Sequence, residues 1–301
     1  MPALSKSIKF AQNFCISTVL GIKELATFFK LRLAFLVVVS AVLGYYMGTD
    51  NSYPMQLLAL IVGGFLVTGA SNGLNQVIER NLDVKMKRTA NRPLPLGKMK
   101  VETAVILAGI SGVFGTAILW FGCNPYSAFL GLFAMFSYAA IYTPLKRISS
   151  FAVFVGAIPG AIPPFLGYVA AANVFNLEAG ILFAVQFIWQ FPHFWAIAWV
   201  LDDDYKEGGF RLLPSAGGRD KKSAYQILIY SIFLLPVSLL PWYFGMTGSW
   251  SVIAVIAIGL AFVFMAYRLY YKCTVEAAKQ LMFGSFINLP LLQLVYVLDK
   301  I

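Results

Sequence analysis

Long apolar runs separated by short polar intervals set the pattern of this chain. Nine runs are long enough to cross a bilayer: about 33–49, 55–79, 101–122, 125–143, 151–171, 178–201, 224–244, 250–271 and 281–299. The pattern predicts an all-α integral membrane protein of nine transmembrane helices, with one membrane domain over 31–301. Residues 1–30 read as an N-terminal segment carrying a short interfacial helix. Its apolar run ends at Ile22 and meets Lys23 and Glu24 with no small-residue cleavage site, so it does not read as a signal peptide.

Composition agrees with this picture. The chain is 59% hydrophobic and only 12% charged, whereas soluble domains carry about 25% charge. A net charge of +10 would suit nucleic acid, but the distribution of the charges argues against it. Of the 23 Lys and Arg, 22 fall in the N-terminal segment or in the loops after the second, fourth, sixth and eighth spans. The alternate loops, such as 49–53, 122–127 and 244–249, hold none. By the positive-inside rule the basic loops and the N-terminus are cytoplasmic and the C-terminus lies on the opposite side. The lipid bilayer is therefore a partner, and nucleic acid is not. Cys15, Cys123 and Cys273 match no metal or redox spacing and read as small apolar residues.

Two acidic clusters stand out, each at the cytoplasmic end of a span. In the first, Asn75, Glu79, Asp83 and Lys87 recur every four residues, a spacing that lines them along one helix face. Two carboxylates and an amide oxygen suit a hard cation such as Mg²⁺. Lys87, Arg88 and Arg92 follow, as diphosphate oxygens would require. The second cluster is Asp202-Asp203-Asp204-Tyr205-Lys206-Glu207, with Asp203 and Glu207 an i,i+4 pair if the helix continues. Each cluster alone also reads as a charged helix end in the headgroup layer. Together they could hold Mg²⁺ on either side of a diphosphate and ionise it to an allylic cation.

Lys146 and Arg147, after the fourth span, read as diphosphate ligands or as plain positive-inside residues. The single histidine, His193, lies between aromatic residues in a span that Pro192 loosens. It could be a satisfied core group, an iron ligand or a base. Gly156, Gly160 and Gly167, with Pro159, Pro163 and Pro164, make the fifth span bent and thin-walled, suited to a wide cavity or to close helix packing.

The stretch Asn75-x-x-x-Glu79-x-x-x-Asp83, followed by Lys87-Arg88-Thr89 and Asn91-Arg92-Pro93, resembles the first acidic motif of the UbiA-type membrane prenyltransferases. Lys30-Leu31-Arg32, Tyr142-Thr143-Pro144-Leu145-Lys146-Arg147 and Leu212-Leu213-Pro214 extend the resemblance over about residues 28–215. Trp189-Gln190-Phe191-Pro192-His193-Phe194-Trp195 with Asp203-Asp204-Tyr205 narrows it to the heme-farnesylating branch. Glu79, Asn81 and Leu31 depart from the residues most frequent at those positions, Asn81 by removing a carboxylate.

The resemblance implies a UbiA-type bundle, Mg²⁺ as cofactor, and farnesyl diphosphate and heme B as substrates. It assigns Asn75, Glu79, Asp83, Asp203 and Asp204 to the metal and, with Lys87, to catalysis. Lys30, Arg32, Arg88, Arg92, Lys146 and Arg147 would bind diphosphate, and His193 and Trp195 heme. It further implies a bacterial inner membrane, with heme A synthase or terminal-oxidase assembly factors as partners. A quinone-ring or chlorophyll-type acceptor is the neighbouring alternative. An ion-coupled transporter is a distant one, because its carboxylates should lie mid-span.

Overall fold

The computed structural model describes residues 21–301, so most of the segment assigned to the interfacial helix, with Cys15, lies outside the described residues. A short helix α1 (Ile22–Phe28) is followed by α2 (Leu31–Met47), α3 (Pro54–Asp83), α4 (Val101–Gly122) and α5 (Pro125–Phe136). Then come α6 (Ala152–Ala172), α7 (Leu177–Val200), the short α8 (Asp202–Glu207), α9 (Lys221–Ser238), α10 (Ser249–Lys272) and α11 (Val275–Leu298). Eight helical stretches among the described residues are long and apolar enough to span a membrane, and the pair α1–α2, bent by 55°, makes a ninth. The predicted spans are all present. Helix α3 runs four residues beyond the predicted end, which carries Asp83 on the helix, and α11 starts six residues early.

Prolines shape three of the helices. After α5 the chain takes a π-helical turn, Ser137–Tyr142, before closing with Thr143–Leu145. Pro144 has no N–H to offer the Ala140 carbonyl, and the wider turn just before it accommodates that loss. Toward its end α9 loses its regular bonding around Pro236, and a separate turn, Leu240–Tyr243, completes that span.

In α6 the prolines free backbone carbonyls that lipid could not satisfy. Pro164 cannot bond back to Gly160, and the Gly160 carbonyl instead accepts from Gln186 Nε2 at 2.6 Å and Gln190 Nε2 at 2.9 Å, both on α7. Gln186 Oε1 in turn accepts from Ser40 of α2 and Gln293 of α11, each at 2.8 Å. One glutamine thus ties four helices together. Gln186→Leu is expected to leave Ser40 and Gln293 bonded only to each other and to destabilise the bundle by about 1–3 kcal/mol. Thermal unfolding in detergent would measure the loss.

Glycines set the closest approach, between α2 and α6. A Cβ at Gly167 would overlap the Ala41 carbonyl, and one at Gly44 the Pro164 carbonyl. Aliphatic and aromatic side chains fill the remaining interior in two large clusters. One surrounds Trp199, Phe210 and Phe262 near the end of the bundle that bears the basic loops. The other surrounds Tyr45, Leu119 and Tyr296 toward the opposite end. Helix ends α3, α5 and α7, with α8, converge at the basic-loop end.

Candidate active site

The break between α1 and α2 starts the site. Lys30, in the left-handed conformation at φ 49°, caps α2, a backbone shape that L side chains adopt rarely. Its ammonium reaches Asn75 Oδ1 at 3.1 Å. Asn75 Nδ2 donates to Glu79 Oε2 at 2.8 Å and to Thr143 Oγ1 at 3.2 Å. Glu79 Oε1 pairs with Lys146 at 2.5 Å, and Asp83 Oδ2 with Arg92 Nη1 at 2.7 Å. Asn75, Glu79 and Asp83 are all buried, on the predicted helical stripe. Lys87 is not on it, because α3 ends at Asp83 and the Lys87 side chain is exposed in the following loop.

That loop joins the two acidic clusters. The Lys87 N–H donates to Asp204 Oδ1 at 2.7 Å, and the Arg88 guanidinium lies over the Tyr205 ring, 5.5 Å from its centre. Of the three consecutive aspartates only Asp204 meets the first cluster in this way. Asp202 pairs with Lys206 at 2.7 Å. Asp203 is 78% exposed and pairs with Arg219 at 2.8 Å, and Arg219 also caps the Trp199 and Val200 carbonyls at the end of α7. Its predicted partner, Glu207, is exposed, and the i,i+4 pair that forms is Asp202–Lys206. Arg32 and Arg147 are exposed, with no ion pair among the described residues.

Lys146 packs between the rings of Tyr142 (4.9 Å) and Phe210 (5.5 Å). Burial pulls its pKa below the ordinary lysine value, and Glu79 opposes that shift most strongly. Removing the Glu79 charge therefore lowers the pH at which Lys146 becomes neutral. In Glu79→Gln, binding of inorganic diphosphate should fail at a lower pH than in the parent protein. Titration calorimetry across the alkaline range would read the displacement.

His193 is buried on the inner face of α7. Its ring stacks on Trp189, with centres 4.3 Å apart, and meets Phe286 edge-on. His193 Nδ1 lies 2.7 Å from Ser285 Oγ, and Ser285 donates its single hydroxyl proton to the Met282 carbonyl at 2.6 Å. The imidazole proton therefore sits on Nδ1, leaving Nε2 as an acceptor. Trp195 does not share this surroundings. It packs against Phe191 and Tyr230, toward α9.

Donor chemistry tests whether these residues fit Mg²⁺. No three His, Cys, Asp or Glu side chains among the described residues converge on one metal-sized point. Asp83 Oδ1 and Asp204 Oδ2 are nevertheless buried carboxylate oxygens without a hydrogen-bond partner. One carboxylate oxygen from each side suits Mg²⁺, which commonly takes one or two carboxylates and completes its octahedron with substrate phosphate and water. The residues fit the ion in that mode.

Four residues of this site carry little signal in the sequence as chemistry: Thr143, Tyr142 and Phe210 around the first cluster, and Ser285 on α11. Thr143 and Tyr142 enter the sequence reading only within the stretch 142–147 that carries the resemblance. Ser285 is an ordinary small residue of a distant helix.

Residues 36–289 match the UbiA prenyltransferase family. Among similar proteins is one of Christiangramia forsetii named protoheme IX farnesyltransferase, 50% identical over 276 residues that cover 90% of this chain and 91% of that protein. Another of the same name, from Cytophaga hutchinsonii, is 45% identical over 273 residues, covering 90% and 96%. Among solved structures, one described as digeranylgeranylglyceryl phosphate synthase in membranes superposes with a TM-score of 0.76 at 18% identity, over 92% of this chain and 98% of that one. A UbiA homolog from Archaeoglobus fulgidus, bound to DMAPP and Mg²⁺, superposes with a TM-score of 0.69 at 14% identity, over 91% and 99%. With a family match across most of its length and relatives at this identity, the chain belongs to the UbiA prenyltransferase family.

Proposed function

We propose that this protein is a transferase that moves the farnesyl group of farnesyl diphosphate to a vinyl group of heme B (protoheme IX), with addition of water, giving heme O and diphosphate. The contact between Lys87 and Asp204 carries the prenyl-transfer part, because it joins two acidic clusters and a set of cations in one site. The acceptor follows the name of relatives 50% and 45% identical.

Mg²⁺ bound at Asp83 and Asp204, with Asn75 and Glu79 beside them, would supply the charge that makes diphosphate a good leaving group. Lys146, Arg92 and Lys30 already point at this site and would turn to the diphosphate oxygens, while Arg88 approaches from the loop. Tyr142, Tyr205 and Phe210 wall the site and exclude bulk water, which would otherwise capture the allylic cation. His193 and the stacked Trp189 would orient the macrocycle deeper in the bundle, and Trp195 would support α7 from behind. The basic loops at the site end support a site on the cytoplasmic side, and the proposed reaction fits a bacterial inner membrane.

The test is to supply membranes containing the protein with heme B, farnesyl diphosphate and Mg²⁺, then weigh the extracted hemes. A heme heavier by one farnesyl and one water supports the reading. Transfer to an added quinone precursor, with heme unchanged, would reassign the acceptor.

A further inference from the structure

The seam between α7 and α11 holds polar groups that the farnesyl-transfer step does not use. Asn288 of α11 is 4% exposed, and neither its Nδ2 nor its Oδ1 has a hydrogen-bond partner among the described residues. The Trp189 indole N–H is likewise buried and unpartnered. A buried amide with nothing to bond costs about 1–3 kcal/mol, so a group retained in that condition is a candidate for serving a ligand.

Register places the two groups at a similar level of the seam. Ser285 of α11 meets His193 of α7, and Gln293 meets Gln186, so the helices run antiparallel. One turn further from the basic-loop end, α7 presents Trp189 and α11 presents Asn288. Asn288 is three residues after Ser285 and four before Leu292, both buried, so it lies on the same stripe facing the interior. Trp189 stacks on His193, whose Nε2 is an acceptor.

Resting on the acceptor and reaction proposed above, we infer that Asn288 positions the water that completes the reaction, with the Trp189 N–H as second anchor and His193 Nε2 as the base. The farnesyl C1–O bond breaks, and its electron pair leaves with diphosphate. The vinyl π electrons form the new C–C bond to C1, which leaves positive charge on the carbon next to the pyrrole ring. The water oxygen, held by the Asn288 amide, forms the C–O bond to that carbon, and its proton passes to Nε2. A membrane interior offers no bulk water for this step, so a fixed polar site is needed. Without it the cation loses a neighbouring C–H proton and becomes an alkene.

The experiment is product analysis with Asn288→Leu, which keeps the volume and removes both amide groups. The expected result is continued farnesyl transfer with the ratio of hydrated to water-free farnesylated heme falling roughly tenfold. Trp189→Phe, which keeps the stack and loses only the N–H, should shift the ratio the same way by less. Asn288→Ser should restore part of it. A lower yield at an unchanged ratio would mean that Asn288 is structural and would overturn the inference. So would a marked fall in the melting temperature of Asn288→Leu, because an amide unpartnered in the protein loses nothing on removal. If the parent protein makes no farnesylated heme at all, the acceptor reading fails, and this inference fails with it.

Discussion

Asp83→Asn is expected to lower farnesyl transfer by roughly a hundredfold to a thousandfold, the range seen when one preorganised electrostatic group is lost. Asp83 is fully buried, Arg92 holds one of its oxygens, and the other faces the site without a partner. An amide keeps the shape and can still accept from Arg92, but it offers no charge to a metal. Turnover in membranes, normalised to folded protein, measures the effect. The companion substitution sharpens it. Asp203→Asn removes a carboxylate that is 78% exposed and bound to Arg219, and exposed pairs contribute about 0–1 kcal/mol. It should leave turnover within a few-fold of the parent, whereas Asp204→Asn should resemble Asp83→Asn. If Asp203 proved as sensitive as Asp204, α8 would have to rotate in the working enzyme.

Gly167→Val should prevent the folded bundle from accumulating. The Cβ would overlap the Ala41 carbonyl, which belongs to the backbone of a neighbouring helix and cannot rotate away. Overpacking commonly costs about 1–3 kcal/mol when side chains can shift. Here α2 and α6 must separate, and the cost should exceed that range. Gly109→Ala is the control, since a Cβ there meets nothing within 4 Å. Size-exclusion profiles and thermal melts of the two variants should differ sharply. Equal behaviour would mean that α2 and α6 are not held so close.

The spans were legible because a bilayer demands continuous apolar length, and that signal needs no knowledge of contacts. The Asn75–Glu79–Asp83 stripe was legible for a similar reason, as helical spacing maps directly onto one face. Lys87 was not, because the sequence around Asp83 carries no strong stop. Among Asp202, Asp203 and Asp204, each step turns the helix by about 100°, so the choice depends on how α8 restarts after α7, and a small change in that break would select another residue. His193 and Trp195 sit about 200° apart on one helix, so spacing alone pairs His193 with Trp189. No local pattern leads to Ser285 or Asn288, which gain their role from the register of two helices far apart in the chain.

The ion pairs Glu79–Lys146 and Asp83–Arg92 have a thermodynamic consequence. The carboxylates proposed for a cation and the cations proposed for an anion neutralise one another within the site. Mg²⁺ alone, at the free oxygens of Asp83 and Asp204, would add positive charge beside Lys146 and Arg92 with no anion to offset it. Diphosphate alone would draw the same cations away and strand two buried carboxylates. Arriving together, each offsets the charge that the other brings or uncovers. Binding of metal and diphosphate should therefore show strong positive heterotropic cooperativity, each raising the affinity for the other by the same factor. Under the proposed function the pocket would then act as an ion exchanger, with little affinity for either component alone and the metal–diphosphate complex as its ligand.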